Sequence, residues 1–378
     1  MVNDSIKITY LFVSGRKSRT TSKEKYAREF FYSYDYFKNK YKSTEIIEFN
    51  DVTKYSKILK KLLSYIDRFL RKILKFPIFM HEIVNLKNFS RIMNTDILVI
   101  TNDRIGFSIL PIMLAKKISR KRYLSSNVFV LGLFSNLGNN FIQKFIQKIV
   151  LSFYFSTYDN FIFIGKSEYE FAINYAEKYS NKFEYIPFSI DEKFWTNSKN
   201  KKDNDILFIG NDGNRDFEKL NKISTILNEL DFVYVTKNIK KEEIKQDNVT
   251  LVEGHWNYNF LTDTDIKEFY ERSKLTIIPL KDSIQPSGQS VALQSMSIGT
   301  PVLISKTKGF WDHTYFKNRE NIYFIDGECS AEDWAKRIKE ILSNKKELEN
   351  ISRRGEKLIK DNFNLESFNK KMENIVGL

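Results

Sequence analysis

The sequence contains very little cysteine and histidine. Its single cysteine, Cys329, excludes a disulfide framework and any cysteine-based metal cluster. The three histidines, His81, His255 and His313, lie far apart and form no H-x-x-x-H or H-x-H pair. We therefore expect no metal site and no resident cofactor.

Long apolar runs are also missing. No segment approaches the ~20 apolar residues that a membrane-spanning helix needs, and the first apolar run is too short for a signal peptide. These absences predict a cytoplasmic protein. The net charge of +14 would attract nucleic acid, acidic lipid head groups or phosphorylated small molecules. Because the lysines are dispersed and no nucleic-acid-binding motif is present, we expect no nucleic-acid partner.

Strands and helices alternate along the 378 residues, which predicts an α/β protein with two doubly wound, mostly parallel sheets. One long helix is expected over residues 23–41, after the first strand. We expect an N-terminal domain over residues 1–190, a second domain over 205–360 and a C-terminal helix over 361–378 that crosses back to the first domain. The polar run TNSKNKKDND indicates a linker between the domains, which we place at 191–204.

Two segments of the first domain have the pattern of amphipathic helices with a basic face. Residues 57–75 repeat apolar positions at helical spacing, with lysines and arginines on the opposite side, and residues 141–155 repeat the pattern. Such helices can lie on an anionic membrane surface, which would make the protein peripheral on the inner face of the membrane. The alternative is that their apolar faces pack on the sheet and the lysines are merely solvated.

In doubly wound sheets, ligands bind outside the carboxyl ends of the strands. Gly15 and Arg16 follow the first strand and suit a loop that approaches a diphosphate. The alternative is that they form a basic turn on the surface with no role in binding. Asp103 follows the strand TDILVITND. It is our candidate catalytic residue, placed to position or deprotonate an acceptor hydroxyl, with helix capping as the alternative role.

The strongest signal is the stretch Gln285 to Leu303, QPSGQSVALQSMSIGTPVL. A Pro-Ser-Gly turn leads into a helix whose free backbone N–H groups would attract a phosphate or diphosphate. Gln294, one turn further in, is placed to reach a ribose. The alternative is an ordinary capped and buried helix. The residues expected at the anion site are Ser287, Gly288, Gln289 and Ser290.

Two other strand ends add candidate donor-binding residues. The loop GNDGNRDFEK contributes Asn211 and the cations Arg215 and Lys219, which could neutralise a diphosphate. The sequence VEGHW places Gly254 and His255 at another strand end, near the expected position of a base.

The run PSGQSVALQSMSIGTPVLIS resembles the donor-binding signature of the GT-B glycosyltransferases, specifically the large retaining family 4, or group 1, whose members have E-G-F-G-x-x-x-x-E-A-M-A-x-G-x-P-V. IPFSIDEKFW is similar to that family's interdomain I-P-N-G-V-D-x-x-x-F, and GNDGNRDFEKL to its phosphate-contacting loop. The resemblance covers about half the chain, namely the C-terminal half and the linker. It implies a GT-B architecture, with two Rossmann-like domains that face a central cleft.

The resemblance also implies transfer of a sugar from a nucleotide diphosphate sugar to a glycan or lipid-linked acceptor, as in cell-surface polysaccharide synthesis. The reaction would be independent of metal and retain anomeric configuration. Pro286 and Gln294 stand where the family has its two glutamates. Two hypotheses follow: a transferase with a rewritten donor pocket, or a non-catalytic subunit of the same fold that binds a nucleotide sugar or supports a partner enzyme.

Overall fold

A computed structural model of the chain describes residues 6–22, 24–49, 57–119, 123–138, 140–198, 201–254 and 261–378. The chain divides into two compact units. The N-terminal unit comprises Met1–Lys23, Phe30–Ile186 and Asn369–Leu378, and the C-terminal unit comprises Glu24–Glu29 and Pro187–Phe368. The short segment before Phe30 therefore belongs to the C-terminal unit, although it lies early in the sequence.

The N-terminal unit contains a six-stranded parallel sheet with the strand order β2-β1-β3-β4-β5-β6. Its strands are β1 (Ile8–Phe12), β2 (Thr44–Glu48), β3 (Ile97–Ile100), β4 (Ser125–Val130), β5 (Asn160–Phe163) and β6 (Phe183–Tyr185). Its helices are α1 (Arg16–Thr21), α2 (Tyr34–Lys40), α3 (Lys57–Leu74), α4 (Met80–Ile83), α5 (Leu86–Met93), α6 (Asp103–Ile118), α7 (Phe141–Thr157) and α8 (Lys166–Tyr175). The basic helices expected at 57–75 and 141–155 are confirmed as α3 and α7.

The single helix expected over residues 23–41 is wrong. Helix α1 ends before this segment, and α2 begins only at Tyr34. Between them, Tyr32 and Ser33 have φ angles of 48° and 68°. These left-handed conformations cannot continue a right-handed helix, so the chain turns before α2.

The C-terminal unit contains a second six-stranded parallel sheet, with the order β12-β11-β10-β7-β8-β9. Its strands are β7 (Asn204–Ile209), β8 (Phe232–Val235), β9 (Val249–Val252), β10 (Ser273–Ile278), β11 (Val302–Lys306) and β12 (Tyr323–Asp326). Its helices are α9 (Phe217–Ile226), α10 (Asp263–Arg272), α11 (Gln289–Ile298), α12 (Ala331–Ser343) and α13 (Lys345–Asn362), and the last helix, α14 (Leu365–Val376), has residues in both units. Short 3₁₀ helices lie at Glu29–Phe31, Leu133–Asn136, Glu177–Lys182 and Lys241–Glu243.

The central strands are apolar because helices cover both faces of a parallel sheet. Strands β1 and β3 are buried along their whole length. In the C-terminal unit, Phe208, Leu275 and Leu303 of three neighbouring strands share one core with Trp334 of α12. The expected pair of Rossmann-like domains is confirmed.

The two strand orders determine where ligands can enter. In each sheet, one pair of neighbouring strands is connected to helices that lie on opposite faces, and this switch point opens a crevice at the carboxyl ends. The crevice lies between β1 and β3 in the N-terminal unit and between β7 and β10 in the C-terminal unit. Several residues singled out in the sequence follow these four strands.

Candidate functional site

At the C-terminal unit's switch point, the loops after β7 and β10 are joined by backbone pairing. Arg215 forms an isolated bridge with Leu280, and the Lys281 N–H donates to the Asn214 carbonyl at 2.8 Å. The Asn214 amide also donates to the Ser287 hydroxyl at 2.8 Å. These bonds hold the loop that carries Arg215 against the turn that precedes α11. Asn214 could not be identified from the sequence, because an Asn in a polar loop has no distinguishing local pattern.

The Arg215 side chain is buried at this junction, with only 3% of its surface exposed. Its guanidinium packs against two glycines: a Cβ at Gly210 would overlap Nε, and a Cβ at Gly288 would lie 2.8 Å from Nη1. Nε lies 3.3 Å from the Asp212 carboxylate, yet neither Nε nor Nη1 has a hydrogen-bond partner within the described part of the chain. Burial lowers the pKa of Arg215, and the nearby Asp212 charge opposes that shift. A buried cation with unused donors is an anion-binding group.

Helix α11 begins beside this guanidinium. Gly288, the N-cap, has a φ of +79°, a conformation that glycine adopts without strain, and as a glycine it has no side chain that could cap the first turn. The backbone N–H groups of that turn and the positive end of the helix dipole therefore reinforce Arg215. Ser287, Gln289 and Ser290 lie at the same helix end. The structure thus brings Arg215 together with the segment 287–290.

Other predicted donor-binding residues have structural partners in the C-terminal unit. The Lys219 ammonium donates to the Gly327 carbonyl at 3.0 Å. The Asn211 amide donates to the Gly254 carbonyl at 2.8 Å, so these two residues tie the ends of β7 and β9 together. His255 lies outside the described residues. The donor-binding roles of all four residues stay predictions.

Gln294, predicted to reach a ribose, is fully buried within a polar network. Its Nε2 donates to the Glu29 carboxylate at 2.8 Å, and its Oε1 accepts from the Tyr270 hydroxyl at 3.1 Å. The Trp195 indole N–H donates to the same Glu29 oxygen at 2.9 Å. Burial raises the pKa of Glu29 to about 7. The hydrogen bonds that Glu29 accepts lower this pKa, and the bond from Gln294 has the largest lowering effect. A carboxylate therefore accompanies Gln294, supplied by a residue that the sequence analysis missed.

At the N-terminal unit's switch point, Gly15 and Arg16 begin helix α1. The backbone N–H groups of Arg16 and Lys17 donate to the Glu48 carboxylate at 2.5 and 2.7 Å, so the chain's own acid caps this short helix. The Arg16 guanidinium lies over the Phe30 ring, 5.4 Å from its centroid. The contact of Gly15 and Arg16 with a diphosphate stays a prediction.

Asp103, the first residue of α6, has a neighbouring acid in Glu168 of α8. Asp103 accepts a hydrogen bond from the Leu131 N–H at 2.9 Å, and Glu168 accepts one from the next residue, Gly132, at 3.1 Å. The other oxygen of each carboxyl is buried and without a hydrogen-bond partner among the described residues. Burial raises the pKa of Asp103 to about 7. Burial, and then the charge of Asp103, raise the pKa of Glu168 to about 8.

Both carboxyls therefore change protonation state close to neutral pH, because burial raises each pKa. Asn102 caps α6 by accepting from the Ile105 N–H at 3.0 Å. The capping role is thus performed by Asn102, and the Asp103 carboxyl is left for other contacts. Its catalytic role stays a prediction.

Helix α3 has its apolar side chains on the surface of the N-terminal unit. Ile58 is 81% exposed and Phe69 64%. Among its described side chains, 58–74, only Asp67 is buried, where its carboxylate accepts from the His81 N–H at 3.0 Å. Helix α7, which packs against α3, has its first turns exposed, with Phe141 at 83%. Within the described ranges, no helix is both long and apolar enough to cross a bilayer.

Comparisons with known proteins give a family match and a fold. Residues 189–358 match the family model of the glycosyl transferases group 1. None of the curated proteins matches the sequence. Among solved structures, HepE from Anabaena in complex with UDP has a TM-score of 0.68 at 12% identity, over 99% of this chain and 100% of HepE. Sucrose-phosphate synthase from Thermosynechococcus elongatus has a TM-score of 0.65 at 13% identity, over 98% of both chains.

A mutant of TarM from S. aureus, in complex with fondaparinux, alpha-GlcNAc-glycerol and UDP, has a TM-score of 0.53 at 14% identity, over 74% of this chain and 55% of TarM. At these identities the structural likeness shows the fold, and the family match over the C-terminal unit carries the assignment. The chain is a glycosyltransferase of the GT-B fold, with a group 1 glycosyltransferase domain over residues 189–358.

Proposed function

We propose that this glycosyltransferase moves a sugar from a nucleotide diphosphate sugar to a glycan or lipid-linked acceptor in cell-surface polysaccharide synthesis. One observation carries the donor assignment: the buried Arg215 guanidinium lies beside the N-cap Gly288 of α11, and its Nε and Nη1 have no hydrogen-bond partner in the part of the chain that the structure describes. A diphosphate supplies the negative oxygens that both groups lack. UDP is the first nucleotide to test, because the structurally similar HepE is bound to UDP and to UDP-glucose.

The same groups would act during the reaction. Negative charge builds on the diphosphate as the glycosidic bond to it breaks, and Arg215 and the α11 dipole are already oriented toward that charge. We propose on this basis that catalysis needs no metal ion. Retention of anomeric configuration is proposed from the resemblance to the retaining family.

On the acceptor side, we propose Asp103 as the group that positions or deprotonates the acceptor hydroxyl. Its carboxyl has a pKa of about 7, raised by burial, and one oxygen without a hydrogen-bond partner among the described residues. A base with this pKa is half ionised at neutral pH, which suits general base catalysis.

The donor proposal is tested by measuring release of nucleoside diphosphate and transfer to octyl glucoside from UDP-glucose, GDP-mannose and ADP-glucose, with and without EDTA. We expect turnover with one donor that EDTA does not reduce. Pro286 and Gln294 at the family's glutamate positions favour a second candidate, a non-catalytic nucleotide-sugar-binding subunit. Saturable nucleotide binding without any turnover would support that candidate, and failure to bind any of the nucleotides would contradict both.

We also propose that α3 and α7 place the enzyme on an anionic membrane surface. Both present apolar side chains to solvent, α7 contains no acidic residue, and the only acid of α3 is the buried Asp67. Apolar side chains flanked by cations are what an interfacial helix needs. Sedimentation with phosphatidylglycerol vesicles measures the binding.

The matched variants change the same number of charges on two surfaces. Lys61, Arg68 and Lys72 of α3 are exposed, and their replacement by Glu should abolish sedimentation. Arg71 is left intact, because its guanidinium donates to the Ile78 carbonyl. The control is the replacement by Glu of three exposed lysines of the C-terminal unit, which should preserve sedimentation: Lys336, Lys345 and Lys346. Equal loss in both variants would indicate a net-charge effect and contradict the proposed surface.

A further inference from the structure

The N-terminal unit contains an open cavity of about 740 Å³ between α3, α6 and α7. This volume lies within the ~300–1,000 Å³ typical of small-molecule sites. Leu70 and Leu74 of α3 form one wall, and Leu110 and Leu114 of α6 form another. The cavity is not part of either switch point.

The inner part of the cavity is aromatic. Phe107 lines it and stacks on Tyr154, with ring centroids 4.1 Å apart, and on Phe76, at 4.7 Å. The wall formed by α7 is different, because Phe145 and Ile149 line the cavity and are also more than half exposed. The cavity therefore opens directly onto the apolar surface of α7.

The lining offers a polar ligand few hydrogen bonds. The Ser152 and Tyr179 hydroxyls bond each other at 2.6 Å, and the Ser156 hydroxyl donates to the Phe153 carbonyl of its own helix at 2.8 Å. Among the lining residues the one charged side chain is Lys148, which is exposed. An aliphatic chain fits such walls, and a cation beside them suits an anionic group at one end of that chain.

We propose that this cavity binds one hydrocarbon chain of an anionic membrane lipid, with Lys148 beside the lipid's head group. The free energy falls when a hydrocarbon chain replaces the water against these apolar walls. This proposal depends on the proposed membrane-binding surface of α3 and α7 in one respect only, namely that the membrane would supply the lipid. A single amphiphile in solution should bind the same cavity, whether or not the enzyme docks on vesicles or transfers a sugar.

The test is calorimetric titration of the full chain with alkyl phosphates of six, eight, ten and twelve carbons, each below its critical micelle concentration. We expect one molecule bound per chain and a Kd that tightens about two- to fourfold for every added CH₂ until the cavity is full. An affinity independent of chain length, or no saturable binding at twelve carbons, would overturn the proposal.

Two variants and one control locate the binding. Leu110→Trp and Leu114→Trp fill the cavity from half-buried positions on α6, and each should weaken dodecyl phosphate binding at least about tenfold. Ile142→Trp makes a similar change at a position of α7 that is 70% exposed and does not line the cavity, so binding should persist. Unchanged affinity in both folded cavity variants would refute the site.

The head-group contact is tested separately. Lys148→Glu should weaken dodecyl phosphate binding severalfold and leave octanol binding unchanged, because only the phosphate carries charge. Equal effects on both ligands would refute the role of Lys148. UDP titration of the same variants reads out the donor site, none of whose predicted residues lines the cavity, so a failed donor site and a failed lipid site are distinguishable.

Discussion

In the C-terminal unit, the switch point between β7 and β10 holds a buried cation beside a helix end whose N-cap is a glycine. In the N-terminal unit, the switch point between β1 and β3 leads to a pair of buried acids. Both sheets are six-stranded and parallel, and both positions lie at carboxyl strand ends. Within the described ranges, Arg215 has donors without hydrogen-bond partners, and Asp103 and Glu168 have acceptors without partners. The two sheets thus have the same architecture, but one presents hydrogen-bond donors and the other presents acceptors at the carboxyl ends of its strands.

The difference shows that the same fold can build two sites of opposite chemistry. A site with excess donors holds an anion, and a site with excess acceptors and pKa values near neutrality holds or moves a proton. We propose that the first binds the diphosphate of the donor and that the second binds the acceptor hydroxyl. Four predictions test this contrast.

The largest expected effect is that of Asp103→Asn. The amide retains an oxygen for the Leu131 N–H but cannot take a proton, so kcat should fall by about 10²–10⁴-fold while UDP affinity is unchanged. In the native enzyme, kcat should fall as the pH drops through about 7, because protonation removes the base. The pH–rate profile measures both. An Asn variant with native kcat would remove Asp103 from the mechanism.

The next effect is that of Arg215→Ala on nucleotide affinity. Loss of charge-assisted hydrogen bonds should raise the Kd for UDP by about 30- to 150-fold. The melting temperature of the free protein should be nearly unchanged, since Nε and Nη1 make no hydrogen bond with the described residues. Calorimetric titration measures the affinity. Arg319→Ala removes the two ion pairs that this exposed arginine makes with Glu340 and Glu347 of the same unit, and it is the control. Native UDP affinity in Arg215→Ala would contradict the diphosphate assignment.

A smaller effect is expected on stability from Gln294→Glu, which restores the family's glutamate. The new carboxyl would face Glu29, and two acids at hydrogen-bond distance cannot both ionise, so the free energy of unfolding should fall by about 2 kcal/mol at pH 8 and by less at pH 5. Denaturant unfolding measures it.

The exchanged pair, Glu29→Gln with Gln294→Glu, provides the control because it returns one acid and one amide to the network. We expect it to recover most of the lost stability. If Gln294→Glu alone is as stable as the native protein and binds UDP more tightly, Gln294 contacts the ribose rather than Glu29 when donor is bound.

The smallest effect is that of Glu168→Gln. Asp103 has the lower pKa and ionises while Glu168 is still neutral, so removal of the Glu168 proton site should shift the kcat midpoint near pH 7 by less than about half a unit. The pH–rate profile again measures it. A shift of a full unit would mean that the two acids titrate in the opposite order.

Much of the fold and part of the site could be predicted from local sequence. The helical spacing of residues 57–75 predicts α3, and the Pro-Ser-Gly turn predicts the start of α11. Arg215 could be found because it follows a strand in a glycine-rich loop. Glu29 and Glu168 could not be found, because an isolated glutamate within a helical or turn pattern has no feature that distinguishes it from a surface residue.

The helix expected over 23–41 failed for a related reason. Its composition favours a helix, but residues 24–29 belong to the C-terminal unit, where the Ala27 N–H donates to the Asp263 carboxylate at 2.9 Å. Such tertiary contacts outweigh a propensity of a few tenths of a kcal/mol per residue.

The sequence by itself determined the alternation of strands and helices, the turn before α11 and the amphipathic character of α3 and α7, because these depend on neighbours within a few residues. Only the tertiary structure decided that Gln294 bonds an acid 265 positions away, that Arg215 is buried between two glycines, and that the apolar side chains of α3 face solvent. Burial and pKa depend on what surrounds a side chain in space, and residues distant in sequence supply those surroundings.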